Sequence, residues 1–238
     1  MADVKPAGTP LAPTAKDESV SSFLAKLRAM APAQTQSGAR GRLVFAMDAT
    51  MSRQPTWDRA LAIQSEMFGE TQKIGGLDVQ LIYFRGFNEC RASKWVSEPE
   101  ALARLMTTVQ CHGGYTQIGR VLKHVKKEAQ SVKINAAVYV GDAMEENIDA
   151  LCKTAGEIGL LGVPLFLFQE GSDAAVETAF RELARLTRGA YFRLDAGSAK
   201  MLRELLTAVA VYAAGGRAAL EARNADRGAT LLLRQLRP

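Results

Sequence analysis

Short apolar segments alternate with longer amphipathic segments from Arg42 onward, and this alternation restricts the possible folds more than any other feature of the chain. The apolar segments predict strands at 43–47, 79–84, 134–140, 163–168 and 190–193. Helical periodicity predicts helices at 55–73, 98–110, 117–130, 146–160, 174–187 and 198–214. Strands that are apolar along their whole length are buried on both faces. The pattern therefore predicts an α/β fold: a doubly wound, mainly parallel sheet with helices on both faces. A short antiparallel edge strand is expected at 93–96.

The two ends of the chain differ from this central part. Residues 1–41 are predicted to form a disordered arm, with a short amphipathic helix from about residue 17 to 30 and a linker after it. The central domain is expected at 42–216, followed by a helical tail at 217–238. Four leucines of the tail form an apolar strip, Leu231, Leu232, Leu233 and Leu236. Such a strip must be covered, which predicts packing on the domain or an oligomer contact through the tail.

Composition excludes several classes of function. The formal net charge is +5, but basic and acidic residues are interspersed, so we expect no nucleic-acid partner. No segment approaches the roughly 20 apolar residues of a membrane span, and the N-terminus lacks the apolar core of a signal peptide. The cysteines, Cys90, Cys111 and Cys152, are odd in number and widely spaced, unlike a disulfide framework. These features predict a cytoplasmic protein with no membrane partner.

Oxygen-bearing side chains follow two of the predicted strands. Asp48, Thr50 and Ser52 occupy alternate positions directly after strand 43–47, and Asp142 comes directly after strand 134–140. Thr116 lies in a glycine-rich segment at 113–119. Ligands of open α/β sheets bind beyond the carboxyl ends of the strands, where the strand order reverses. If the two strands are neighbours, both acids face the same crevice, and the oxygens suit a small, hard cation.

These residues resemble the metal-ion-dependent adhesion site of von Willebrand factor A (VWA) domains, here of the intracellular bacterial type. The family pattern is Asp-x-Ser-x-Ser after the first strand, a Thr in a glycine-rich loop and an Asp after the fourth strand. Asp48, Thr50 and Ser52 match the first element, Thr116 the second and Asp142 the third. The resemblance covers residues 42–214 and implies a Rossmann-like VWA fold. Thr50 departs from the usual Ser, which keeps the hydroxyl but adds a methyl group.

The resemblance also implies how the site would work. Thr50 and Ser52 would bind a divalent cation directly, Asp48 and Asp142 would act through water, and Thr116 would supply a further oxygen. Mg²⁺ is the expected ion, and Mn²⁺ could substitute for it. The ligand shell would be incomplete, so that an Asp or Glu of a partner protein completes it. The implied function is metal-dependent protein–protein binding in an assembly or scaffold, without catalysis.

Other interpretations remain open from the sequence. Ser52 and Thr116 could simply cap helix N-termini. A haloacid-dehalogenase-like phosphatase, a metal-dependent hydrolase, would use Asp48 as nucleophile, but it needs a second Asp where Thr50 stands. A zinc site would draw on Cys90, Cys111, His112 and His124, although no Cys-x₂-Cys pair supports it. A nucleotide site is not indicated, because no glycine-rich phosphate-binding motif follows the first strand.

Several polar residues near the predicted strand ends are candidates for a supporting role. The 85–91 loop is a possible partner contact or an ordinary connection to the edge strand. Gln169 and Glu170 follow another strand and could line the rim of the site. Glu145 and Glu146 could supply an outer acid, although solvated acids at a helix start are the more common arrangement.

Overall fold

Six strands form one sheet in a computed structural model, which describes residues 40–72, 74–194 and 199–236. The predicted arm lies almost entirely outside these residues. The strands are β1 (Gly41–Asp48), β2 (Leu77–Arg85), β3 (Glu89–Ala92), β4 (Ala136–Gly141), β5 (Leu165–Glu170) and β6 (Ala190–Leu194). Their order is β3-β2-β1-β4-β5-β6, and every pair is parallel except β2 with β3. The predicted doubly wound, mainly parallel sheet with one antiparallel edge strand is confirmed.

Seven helices surround the sheet in the described part of the chain. They are α1 (Gln54–Gln72), α2 (Pro99–Thr107), α3 (Ile118–Ser131), α4 (Ile148–Leu160), α5 (Ala174–Leu186), α6 (Ala199–Glu221) and α7 (Arg227–Gln235). A single 3₁₀ turn, Met51–Arg53, joins β1 to α1. None of the described helices is long and apolar enough to cross a membrane.

The sheet separates two apolar cores, and β1 contributes to both because successive side chains point to opposite faces. Leu43, Phe45 and Met47 join the core beneath α1, α2, α6 and α7, whereas Val44 and Ala46 join the core beneath α3, α4 and α5. This burial on both faces explains why the strand is apolar from one end to the other. Asp48, the last residue of β1, is the first acid after this apolar segment.

The C-terminal tail is part of the same packed structure. α6 continues through Gly215 but is kinked at Gly216, where φ is 69°. α7 then folds back, and Leu232 and Leu236 are buried in the core that α6 also covers. The side-chain amide of Gln235 bonds both the N–H and the C=O of Tyr191, which protects the edge of β6. The apolar strip predicted for the tail is thus covered largely by the chain itself.

The position predicted for the edge strand was wrong. β3 lies at Glu89–Ala92, and residues 93–96 contribute only an isolated bridge between Val96 and Val79. The chain turns back earlier than expected because Gly86, with φ of 58°, allows a tight turn directly after β2. The polar 85–91 segment is therefore mostly hairpin, and only its tip is a loop.

The order of the strands fixes where a ligand can bind. β1 has β2 on one side and β4 on the other, and the chain reverses its direction of winding between β1 and β4. A crevice opens at such a point beyond the carboxyl ends of the strands, because the connections leave it in opposite directions. Asp48 ends β1 and Asp142 follows β4, so both acids reach this crevice.

Candidate metal centre

All five residues predicted from the sequence motif line one cleft at the reversal point. The cleft has a volume of about 270 Å³, and its wall includes Asp48, Thr50, Ser52, Thr116 and Asp142. Three separate segments supply them: the end of β1, the loop before α3 and the end of β4. The remaining lining comes from Met51, Gly113, Gly114, Ala143 and Glu145. The fold thus brings together the oxygen atoms that the sequence predicts to share an ion.

Asp48 lies at the buried end of the cleft and is 1% exposed. Its Oδ1 accepts a hydrogen bond of 2.7 Å from the backbone N–H of Thr50, which fixes the turn that leaves β1. Burial raises the pKa of the Asp48 carboxyl to about 6, and the neighbouring Asp142 adds to the rise, while the hydrogen bonds from Thr50 and the charge of Arg53 oppose it. A carboxylate in this position is destabilised until a positive charge reaches it.

The two hydroxyls of the motif lie between the buried end and the mouth of the cleft. Thr50 Oγ1 is 3.4 Å from Ser52 Oγ, and Ser52 Oγ donates to Asp142 Oδ2 at 3.2 Å. Thr50 is partly buried and Ser52 is exposed. The 3₁₀ turn that follows Thr50 brings the second hydroxyl close to the first. The side-chain oxygens of the motif therefore run from the buried Asp48 to the exposed Ser52.

Thr116 approaches from the opposite wall. Its hydroxyl accepts a hydrogen bond of 3.1 Å from the backbone N–H of Glu145, and its own N–H donates to Glu145 Oε2 at 2.9 Å. Glu146 accepts bonds from the N–H groups of Ile118 and Gly119, which start α3. These paired contacts tie the loop before α3 to the segment after Asp142. Glu145, for which an outer acid of the site and a solvated acid were both considered, lines the cleft.

Asp142 differs from Asp48 because it already has a cationic partner. Arg53 Nη2 lies 2.9 Å from Asp142 Oδ2, and Arg53 Nε donates to Ser52 Oγ at 3.2 Å. Glu170 holds the other side of the guanidinium, and Glu170 also accepts from Thr56. Arg53 is not among the residues predicted from the sequence, although a basic residue directly after the hydroxyl motif is a visible signal. Glu170 does reach the site, whereas Gln169 is buried and bonds Tyr191 and Asp173.

The capping interpretation is not supported by the helix starts. Ser52 lies inside the 3₁₀ turn, whose N-cap position is Thr50, and no side-chain bond caps that turn. The N-cap position of α3 is Gln117, again without a side-chain capping bond. Neither Ser52 nor Thr116 therefore acts as an N-cap, and their hydroxyls are directed toward partners at the cleft.

The zinc interpretation is not favoured either. Among the described residues, no three His, Cys, Asp or Glu side chains converge well enough to hold a metal ion. Cys111 is buried, and burial raises the pKa of its thiol, which disfavours the thiolate that zinc requires. His124 instead contacts Gln80, with 3.0 Å between Nε2 and Oε1. Any ion at the cleft would likewise depend on hydroxyl oxygens in addition to the two aspartates.

The donor set fits a hard divalent cation. It consists only of oxygens, from two carboxylates and three hydroxyls, and such oxygens are the ligands that Mg²⁺ and Mn²⁺ prefer. Asp48 is the strongest reason to expect a cation here, since within the described residues no basic side chain forms an ion pair with this buried carboxylate. A cation at the cleft would offset the cost of burying that charge.

Comparisons with solved structures identify the fold. A von Willebrand factor type A protein from Catenulispora acidiphila aligns over 73% of this chain and 43% of its own, with a TM-score of 0.57 and 15% identity. The pilus adhesin SpaC from Lactobacillus rhamnosus GG in its open conformation aligns over 74% of this chain and 30% of its own, with a TM-score of 0.58 and 11% identity. The SpRpn10 VWA domain aligns over 66% of this chain and 89% of its own, with a TM-score of 0.53 and 9% identity.

Sequence similarity does not identify a relative among protein-family models or curated proteins. No protein-family model matches the chain, and no curated protein matches it. The chain spans less than half the length of the first two structures, 43% and 30%. At identities between 9% and 15%, the likeness to these three structures concerns the backbone arrangement alone. The described domain has a VWA-like fold.

Proposed function

We propose that this chain is a protein-binding module whose cleft takes up a divalent cation, Mg²⁺ or Mn²⁺, and thereby captures a carboxylate of a partner protein. The observation that carries the proposal is the convergence of Asp48, Thr50, Ser52, Thr116 and Asp142 on one cleft. Fold likeness supports it, since a neighbour of this fold is a pilus adhesin. An assembly or scaffold role follows if the module connects subunits.

The residues at the cleft would have different roles toward the cation. Thr50 and Ser52 offer neutral oxygens to the cation, Asp48 and Asp142 offset its charge, and Thr116 closes the opposite wall. When bound, the cation supplies a Lewis-acidic position that attracts an anionic oxygen. Because only two of the five side chains are anionic, this position retains attraction for an Asp or Glu from another protein. Arg53 adds positive charge at the same edge.

Binding is favoured over the hydrolase alternative. That mechanism needs a general acid two residues after Asp48, and the hydroxyl of Thr50 at that position cannot supply one near neutral pH. Asp48 is also 1% exposed, which leaves little room for a substrate phosphorus atom to approach its carboxylate. We therefore propose that Asp48 offsets the charge of a cation instead of attacking a substrate.

Thermal unfolding in the presence of metal tests the proposal. A ligand that binds only the folded state raises the melting temperature with the logarithm of its concentration, so we expect this response to Mg²⁺ and Mn²⁺ in the wild type. Ser52→Ala should weaken it, because one hydroxyl ligand is lost. Ser131→Ala, at an exposed serine at the end of α3 that is distant from the cleft, is the matched control and should respond as the wild type does. A flat response of the wild-type protein would contradict the proposal.

A further inference from the structure

Three large apolar side chains are exposed at the edge that carries the cleft. Met51 is 64% exposed, Phe87 is 69% exposed and Tyr115 is 59% exposed. Met51 follows β1 and lines the cleft, Phe87 lies in the turn after β2, and Tyr115 stands between two cleft-lining residues, Gly114 and Thr116. We call these three side chains the apolar rim. Single exposed apolar residues are ordinary, but a group of them beside a polar cleft is typical of a binding surface.

Contacts between the two loops that carry Phe87 and Tyr115 hold this aromatic pair in place. The rings of Phe87 and Tyr115 meet edge to face, with their centroids 5.4 Å apart. The N–H of Tyr115 donates to the carbonyl of Gly86 at 3.3 Å, and the side-chain amide of Gln117 donates to the carbonyls of Arg85, Gly86 and Glu89. A paired, anchored ring loses little conformational freedom when a partner covers it, so these contacts favour binding.

Glycine makes this approach of the two loops possible. A Cβ added at Gly114 would lie 2.0 Å from the carbonyl oxygen of Gly86. The two loop backbones are therefore in contact at the residues that directly precede Tyr115 and Phe87. The same loop supplies Gly113, Gly114 and Thr116 to the cleft. The apolar rim and the candidate metal centre are therefore parts of one continuous surface.

Charge at the rim indicates the kind of partner. The hairpin beside Phe87 carries Arg85 and Arg91, and both pair with the single carboxylate of Glu89. Arg120 donates to the carbonyl of Asn88 at 2.5 Å, and none of the described carboxylates forms an ion pair with it. The hairpin that carries Phe87 thus has more basic than acidic side chains, which favours an acidic segment on that side of the aromatic pair.

We propose that the apolar rim and the cleft together recognise a protein segment in which an Asp or Glu lies beside an apolar side chain. The carboxylate would enter the cleft and the apolar side chain would cover the Phe87–Tyr115 pair. This inference rests on the proposed function, because it takes the cleft as the site of the carboxylate. It adds that the metal alone does not choose the partner and that the rim supplies the selectivity.

A displayed library of random peptides with a fixed central Asp or Glu tests the inference. Selection on the full chain in Mg²⁺ should enrich sequences with an aromatic or aliphatic residue within a few positions of the acid. We expect Phe87→Ser and Tyr115→Ser each to weaken the enriched peptides by about tenfold, as loss of an aromatic contact at an interface commonly does. Affinity for Mn²⁺, measured by calorimetry, should stay unchanged in both variants, which also shows that they fold.

Leu160→Ser is the matched control. Leu160 is 61% exposed, but it lies at the end of α4, shortly before β5 begins, and so at the amino ends of the parallel strands, opposite the cleft. Its peptide affinity should equal that of the wild type. The inference is overturned if nothing is enriched, if the enriched peptides show no apolar preference, or if Phe87→Ser binds them equally well. Failure of the proposed function looks different, since the wild type would then bind no Mn²⁺ in calorimetry.

Discussion

The ends of β1 and β4 each present an aspartate to the same cleft, but the two carboxylates have different surroundings. Asp48 is 1% exposed and has a backbone N–H as its nearest donor, at 2.7 Å. Asp142 has 26% of its side chain exposed and forms an ion pair of 2.9 Å with Arg53. One acid therefore lacks a cationic partner and the other already has one. Two strand ends that look equivalent in sequence thus differ in structure: the carboxylate of Asp48 would be stabilised by an added cation, whereas that of Asp142 is already paired.

This difference divides the roles of the two acids at the cleft. A cation that enters would stabilise Asp48 most, because the burial that raises the pKa of that carboxyl is not offset by an ion pair. The same cation would compete with Arg53 for Asp142. Asp48 is thus expected to drive metal binding, whereas the ion pair of Asp142 limits it.

The largest expected effect is the loss of metal binding in Asp48→Asn. The amide keeps the size of the side chain and can still accept from Thr50, but it carries no charge. We expect the affinity for Mn²⁺ in isothermal titration calorimetry to fall by about 100-fold, at the upper end of what is typical for residues that support metal ligands. Asp149→Asn, at an exposed acid in the first turn of α4, should bind Mn²⁺ as the wild type does.

The same substitution should stabilise the metal-free protein at neutral pH. The pKa of Asp48 is about 6 in the folded chain, above its usual range, so the folded state holds this proton more tightly than the unfolded state. The free energy of unfolding should therefore lose a contribution as pH rises from about 4 to about 6. At pH near 7, Asp48→Asn should gain up to about 3 kcal/mol, the equivalent of a shift of roughly two pKa units.

Urea unfolding in chelator at several pH values measures this contribution as the difference between Asp48→Asn and the wild type. The difference removes the influence of other acids, such as Glu89, whose pKa is lowered to about 2 mainly by its hydrogen bond with Arg85. Asp142→Asn is the contrasting variant and should not be stabilised, because it loses the ion pair with Arg53. A difference that does not change with pH would contradict the assignment of an uncompensated charge to Asp48.

These two acids also show what the sequence could predict. Their strands were recognisable because β1 and β4 are buried on both faces, and the parallel arrangement then brought Asp48 and Asp142 to one crevice. The counter-ion was not predictable in the same way. Arg53 and Glu170 are 117 positions apart in the chain, and only the completed sheet brings them together. Arg53 directly after the hydroxyl motif and Glu170 at a strand end could each be noticed alone. Charged residues on turns are usually solvated, however, so the sequence did not predict that the two form a pair.

The errors in the fold have local causes. The edge strand was expected at 93–96 because Trp95 and Val96 suit a strand, but the turn at Gly86 brings 89–92 opposite β2 first. For Glu145 the sequence favoured a solvated acid over an outer acid of the site, because its role depends on the loop before α3, where its side chain accepts from the N–H of Thr116. In both cases a contact set by the tertiary structure outweighed a preference that could be read from neighbouring residues.

A smaller effect is expected from Arg53→Gln. Removing the guanidinium leaves Asp142 without its ion pair and takes a positive charge away from the path of the cation. We expect the affinity for Mn²⁺ to rise by about tenfold, which corresponds to a repulsion between charges several ångströms apart at moderate dielectric. Arg59→Gln is the matched control, because Arg59 lies 3.7 Å from Glu170 and is not paired with Asp142. Weaker binding in Arg53→Gln would instead mean that Arg53 positions Asp142 for the cation.

The smallest effect is expected where the chain departs from the VWA pattern. Thr50→Ser keeps the hydroxyl that lies 3.4 Å from Ser52 Oγ and removes only a methyl group from a partly buried position. The affinity for Mn²⁺ should change by less than about threefold, since oxygen ligands decide the binding of a hard cation. Thr50→Val replaces the hydroxyl by a methyl group of similar size and should weaken binding by about tenfold, roughly the value of one polar contact to a charged group. If the serine and valine variants bind Mn²⁺ equally, Thr50 does not provide a ligand, and the cation depends on Asp48 and Ser52 without it.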